Sequence, residues 1–249
     1  MSIPVSVQMY TLRDLTAKDF LGTIEEVAKV GYGGVELAGT YNVPAKDLRK
    51  HVESLGLIIS GAHVGIDPLE KDFEATTDYY HAAGVEHIIV PWLPPERRKN
   101  WAEFGKSLNA LGAKLKAKGM TLCYHNHDFE FAKEDGKYGL DLIFSNATHE
   151  NLQAELDLYW VARAGENPAV YIKNFADRVP LVHVKDMAAG PEKRFAPVGT
   201  GVIDFAPIFA AAESLGIEWY VVEQDNCYDT PPMEAIKTSM RNLREMGIV

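Results

Sequence analysis

The 249 residues suit one large α/β barrel or two ordinary domains, and a balance of 47% apolar and 24% charged residues allows a substantial core. A net charge of −10 at pH 7 repels the phosphate backbone and disfavours general nucleic-acid binding. No apolar run reaches the ~18 residues of a membrane span, and MSIPVSVQMYTLRD lacks the basic-then-apolar layout of a signal peptide. Cys123 and Cys227, the only cysteines, form no disulfide framework, so a reduced, cytoplasmic setting is expected.

In chain order, eight β-rich runs alternate with helical patterns. VSVQMYTL (5–12) precedes a helix over 17–30, GGVELAG (33–39) one over 44–55, and LIISGAHVG (57–65) one over 70–83. HIIVPWL (87–93) precedes a long helix over 96–118, and MTLCYHNH (120–127) a shorter one over 138–146. LQAELDLYW (152–160), PLVHVKD (180–186) and WYVVEQD (219–225) precede helices over 167–177, 204–215 and 232–246. Gly31, Gly56, Gly84, Gly119 and Gly216 each follow a helical pattern, where a left-handed cap ends a helix. Pro44, Pro168 and Pro207 stand where helices begin. Strict alternation implies a parallel sheet. Eight units in roughly 250 residues imply a single-domain (β/α)8 TIM barrel over 1–249. The competing open, doubly wound sheet usually carries a Gly-rich turn after its first strand, and YTLRDLTAKDF has none.

Residues two apart on a strand share a face. One parity class holds Gln8, Tyr10, Glu36, His63, Trp92, His125, His127, Glu155, Asp157, His183, Lys185, Glu223 and Asp225. A face turned to the surrounding helices would be apolar, so this class faces the barrel axis, mostly at the C-terminal strand ends where barrels of this type carry their sites. Any one such His or Asp, taken alone, is more often a hydrogen-bonded structural residue. Several titratable groups converging from different strands are costly to bury without a metal or a substrate network, and an enzyme is the leading expectation. Imidazole with carboxylate suits one divalent ion, Mn²⁺, Zn²⁺, Co²⁺ or Mg²⁺, without discriminating among them. Lys185 is placed either to stabilise an oxyanion or to pair with Asp157 or Glu155. A nucleophilic serine is not expected: there is no GxSxG, and no serine ends a strand.

The segments YHNHDFEF, LDLYWVARAGENP, LVHVKD, VGTGVIDF and VVEQD together resemble the sugar phosphate isomerase/epimerase family of the xylose isomerase-like TIM-barrel superfamily, and the resemblance runs through essentially the whole chain. It implies one divalent metal held at the ends of strands 5 to 8 by Glu, Asp, His and Glu. Carried over, these are Asp157, His183 and Glu223, with His125 standing at the strand-5 position where the family has glutamate. A two-glutamate epimerisation is put in doubt by that change. Trp160 also departs from the pattern, since epimerases commonly carry His there. The resemblance further implies a substrate-binding role for Arg194, which otherwise reads as a loop charge.

The reaction expected is isomerisation or epimerisation of a sugar or keto-sugar through an enediolate formed next to a carbonyl, with elimination on an inosose or 3-keto-glycoside as the alternative. Glu223, His127 and Lys185 are the candidate catalytic groups, and Gln8, Glu36, His63, Trp92, Trp160 and Arg194 the candidate substrate contacts. The turn at 199–201, GTG, reads either as a phosphate cradle or as the launch of a helix capped by Asp204. An endonuclease IV-like nuclease would need three metals and a basic rim; a barrel that only binds sugar would hold no metal. The expected partner is a small sugar, with no nucleic acid and no membrane. Such barrels often pair, which leaves a homodimer open.

Overall fold

A computed structural model describes residues 3–249; positions 1 and 2 of the expected span 1–249 lie outside the described residues. Eight strands close a parallel barrel: β1 Val5–Gln8, β2 Gly34–Leu37, β3 Ile58–His63, β4 His87–Val90, β5 Thr121–His125, β6 Gln153–Asp157, β7 Leu181–Val184 and β8 Trp219–Val222. Each pairs with its sequence neighbours, and β1 joins β8 through Val5–Tyr220, Ser6–Val221 and Val7–Val222. The helices form the outer layer. Phe20–Val30 is representative: Asp19 caps it by accepting from the Gly22 amide, Phe20, Thr23, Ile24 and Val27 turn one stripe inward, and Gly31 ends it at φ +97°. The other four cap glycines also take positive φ, which only glycine adopts without strain.

The expected spans shift mainly where loops do chemistry. β1 stops at Gln8, and Met9–Leu12 is a 3₁₀ turn. LQAELDLYW is strand only to Asp157; Leu158–Arg163 is a short helix that Asp157 itself caps. The expected helix over 70–83 is two, Ile66–Lys71 and Phe73–Ala82, and that over 96–118 is a 3₁₀ turn, Pro95–Arg97, followed by Trp101–Ala117. The expected 167–177 helix is Pro168–Tyr171 continued as 3₁₀ over Ile172–Phe175. Two small hairpins, Lys133–Glu134 with Lys137–Tyr138 and Asp186–Met187 with Phe195–Ala196, were not expected.

Inside the barrel, Ile89, Cys123, Leu181, Trp219 and Val221 form an apolar plug. It fits because neighbouring positions are small: a Cβ at Gly34 would lie 3.0 Å from the Trp219 ring and 2.6 Å from the Ile58 carbonyl. Likewise a Cβ at Gly61 would press to 2.7 Å from Ile89 and 3.1 Å from Glu36 Oε1. The plug closes one end, so polar side chains collect above it.

The loop after β5 is held by Glu130, which is fully buried and accepts from the Tyr124 hydroxyl (2.7 Å) and the His127 amide (2.9 Å). Burial pushes its carboxyl up from 4.5 to about 7, against those hydrogen bonds. The raised folded value means that folding takes up a proton. Its stabilising contribution is complete below the unfolded value and is lost as pH rises through about 7. Urea midpoints of the wild type should therefore fall between pH 5 and 8, and Glu130→Gln should flatten that fall; equal pH slopes in the two proteins would refute the assignment.

Candidate metal centre and pocket

Asp157 is the last residue of β6, level in register with His183 on β7, and Glu223 directly follows β8. Local structure fixes their orientation. Asp157 Oδ1 accepts from the Trp160 amide (3.0 Å) as the cap of Leu158–Arg163, which leaves Oδ2 directed inward. The Asn126 side chain accepts from the Asp157 amide (2.9 Å) and donates to its carbonyl (3.4 Å), tying the ends of β5 and β6 together. His125 Nε2 lies 3.7 Å from Asp157 Oδ2, and His183 Nδ1 lies 3.9 Å from the same oxygen and 3.0 Å from Glu223 Oε2. These four residues each present one donor atom, all within 4.8 Å of one another, and all four are buried. Their fit to a divalent cation rests on the chemistry of the donor set: two imidazoles and two carboxylates buried together, with Asp157 Oδ2 sequestered from water and met by a single ammonium, that of Lys185.

Lys185 is fully buried beside them, its ammonium 2.9 Å from Asp157 Oδ2, 2.5 Å from Glu223 Oε2 and 3.0 Å from Asp225 Oδ2. Of the two ion-pair partners expected for it, Asp157 is met and Glu155 is not. Burial works to raise the Glu223 carboxyl, but the Lys185 ammonium and His183 hold it well below the carboxylate range. Asp157 and Asp225 stay raised by burial despite Lys185. One lysine does not neutralise this group, and a divalent cation would offset the remainder.

A second layer lies beneath. Glu155 Oε2 has His63 Nε2 at 2.7 Å, His125 Nδ1 at 3.0 Å and His183 Nε2 at 3.1 Å. Glu36 Oε2 has Gln8 Nε2 at 2.6 Å, His183 Nε2 at 2.8 Å and His63 Nε2 at 3.1 Å. Gln8 and Glu36, expected as substrate contacts, are fully buried here. Gln8 also accepts from the Tyr10 amide, so its amide group is spent within the protein. Burial opposes charge on His63, but Glu36 and Glu155 raise it to about 10.

The pocket above has a volume of about 590 Å³. Tyr10, Pro91 and Trp92 line one part; His63, His125, His127, Glu223 and Asp225 line another. Tyr10 and Trp92 fall within the runs that parity was read from but lie beyond the ends of β1 and β4, and both are exposed. Burial and the Lys185 ammonium push His127 down to about 3, so it is a neutral imidazole at pH 7, and its buried Nδ1 has no partner. Its ring lies 5.2 Å from that of Trp160. Arg194 is not brought into this group: it is exposed, pairs with Glu192 at 2.5 Å and covers the Tyr228 ring. Asn126 and Asp225 were not among the expected site residues. Asp225 had the parity signal; Asn126, of opposite parity, had none.

A closed (β/α)8 barrel with imidazoles and carboxylates gathered at the C-terminal strand ends is the layout of a barrel enzyme. The family model for the xylose isomerase-like TIM barrel matches residues 24–246, and the chain belongs to that family. An inosose dehydratase of Clostridium botulinum (strain Alaska E43) is 28% identical, over 88% of this chain and 87% of that protein. A solved sugar phosphate isomerase/epimerase from Parabacteroides distasonis superposes with a TM-score of 0.83 at 25% identity, covering 100% of this chain and 96% of that one. The IOLI protein, solved with a bound zinc atom, shares the fold: TM-score 0.77, 15% identity, 98% and 97% covered.

The GTG turn resolves as a structural device. Asp186 is buried, and its carboxylate accepts from the amides of Met187 (2.7 Å), Gly199 (3.0 Å), Gly201 (2.8 Å) and Ile203 (3.1 Å). The amides that would cradle a phosphate are thus taken by an internal carboxylate. Glycine at 201 is required by that approach, since a Cβ there would lie 2.3 Å from Asp186 Oδ1. Asp204 caps the following helix through the Ala206 amide. Asp186→Ala should cost about 3 kcal/mol or more, read as a lower urea midpoint, because several amides lose a charged acceptor together. An unchanged midpoint would show that the turn holds itself.

Proposed function

We propose that this enzyme removes a proton next to the carbonyl of a neutral keto-sugar or inosose and expels a β-oxygen, using one divalent ion held by His125, Asp157, His183 and Glu223. The ion's contribution when bound is to polarise the substrate carbonyl and so acidify the adjacent C–H. His127, a neutral imidazole at the pocket wall, is the group able to accept that proton; Glu223 is committed to the ion, to His183 and to Lys185. The electron pair left on carbon forms the enediolate. The β-carbon–oxygen bond then breaks, and the departing oxygen takes a proton from the Lys185–Asp225 pair, of which Asp225 is the member at the pocket wall. His63 and the Tyr10 and Trp92 faces bound the space for the ring.

The observation that carries elimination over isomerisation or epimerisation is the state of His125. Epimerisation requires a second base to return a proton on the opposite face. At the strand-5 position His125 is buried, with Nδ1 on Glu155 and Nε2 toward Asp157, so neither nitrogen is free to do so. The relatives named inosose dehydratase support the same reading. A neutral substrate follows from the carboxylates at the pocket and from the occupied GTG turn.

Two measurements test this. After reconstitution with Mn²⁺, Zn²⁺, Co²⁺ or Mg²⁺, the protein should hold about one equivalent. At about 100 times Kd the ion should add about 2.7 kcal/mol of stability, and Asp157→Ala should abolish both effects. In D₂O, inososes and 3-keto-glycosides followed by proton NMR should lose water or an alcohol to give an unsaturated ketone. Recovery of an epimer carrying one deuterium, with every C–O bond intact, would replace elimination by epimerisation. No turnover and no exchange with any of the four metals would sink both.

A further inference from the structure

The deeper layer has a function that the reaction itself does not use. We infer that Glu155 is a positioning residue which selects the metal-facing nitrogen of both His125 and His183, assisted on His183 by Glu36. The inference rests on the metal reading above.

The two rings use opposite nitrogens. His125 turns Nε2 toward Asp157 and Nδ1 toward Glu155 (3.0 Å). His183 turns Nδ1 toward Asp157 and Glu223, and Nε2 toward Glu36 (2.8 Å) and Glu155 (3.1 Å). An imidazole that ligates through one nitrogen keeps its proton on the other, and that N–H needs an acceptor in a site closed to water. One oxygen, Glu155 Oε2, faces the inner nitrogen of both rings. Sequence separation rules out a local cause: Glu155 is on β6, His125 on β5 and His183 on β7, so the carboxylate bridges its two neighbouring strands. His63, stacked on His183 with ring planes 9° apart, approaches both carboxylates and supplies the compensating positive charge.

The deep donors His63, His125, Glu155 and His183 are also close enough together to hold an ion themselves. Two ions at once would require His183, and His125 with it, to ligate through both nitrogens and give up the single N–H proton of the neutral ring. Imidazole rarely does so without a strong driving force. One ion above and N–H donors below satisfies every ring with the protons that neutral imidazole has.

The test uses ¹⁵N-histidine NMR and competition with a chromophoric chelator on zinc-loaded protein. Wild type should show His125 as the Nδ1–H tautomer and His183 as the Nε2–H tautomer. Glu155→Gln should weaken zinc binding 10- to 100-fold and disturb both rings, because a neutral amide oxygen is a weaker acceptor than the carboxylate oxygen and brings no charge to hold two N–H groups. Glu36→Gln is the control that keeps the inference falsifiable should the first variant not fold: it should disturb His183 and leave His125 unchanged. Unchanged affinity and tautomers in Glu155→Gln overturn the positioning role while leaving the metal reading intact. A wild type that binds no zinc overturns both. Two equivalents in wild type, falling to one in Glu155→Gln, would make the deep layer a metal site and also overturn the inference.

Discussion

Glu36 and Glu155 are taken wholly out of water, and both reach the same pair of imidazoles. Removing a carboxylate from water costs several kcal/mol unless charge and hydrogen bonds are returned to it. The return comes from rings on other strands, so each strand end is specified by a partner that no local sequence supplies. The plug of Ile89, Cys123, Leu181, Trp219 and Val221 sets the depth at which this happens. With Gly61 making room for Glu36 directly above it, the polar layer is confined between an apolar floor and the pocket.

This confinement gives the histidines different tasks despite their similar sequence positions. His63 lies between two carboxylates and is held charged; burial and nearby cations hold His125 and His127 neutral. Burial opposes charge on His183 too, but Glu155 and Glu36 raise it above the usual imidazole value, so a metal that takes its Nδ1 would have to displace a proton there. Lys185 completes the division from the other side. It ties Asp157, Glu223 and Asp225 together at 2.5 to 3.0 Å, which couples the metal-facing carboxylates to Asp225 at the pocket wall.

The architecture was legible because alternation, cap glycines and helix-starting prolines act locally, through backbone conformation. Parity also found the inward face. It did not distinguish depth, which depends on register between strands: Gln8 and Glu36 share a level below the pocket, whereas Asp157 and His183 share the next. Glu155 carried the same parity as Asp157, yet only the barrel's closure brings His63 from β3 onto it. Extrapolating parity past a strand end fared unevenly. Lys185 and Asp225 kept their expected side, whereas Tyr10 sits on a 3₁₀ turn and reaches only the rim. The helix over Leu158–Arg163 went unread because an Asp that ends a strand and an Asp that caps a helix are the same signal, and here one residue does both.

That double use of Asp157 bears on what the site can accept. Its Oδ1 is committed to the Trp160 amide, so Oδ2 is the oxygen left for a cation. A divalent ion held by these four residues would have positions left for substrate oxygens, which would suit chelation of a carbonyl with a neighbouring hydroxyl. A phosphate would have no comparable reception. Glu223 and Asp225 stand at the pocket wall, and the amides of Gly199, Gly201 and Ile203 already close on Asp186. On the proposed reading the substrate brings its oxygens uncharged, and the acidity needed for its C–H to break would come from the cation rather than from a charged group of its own.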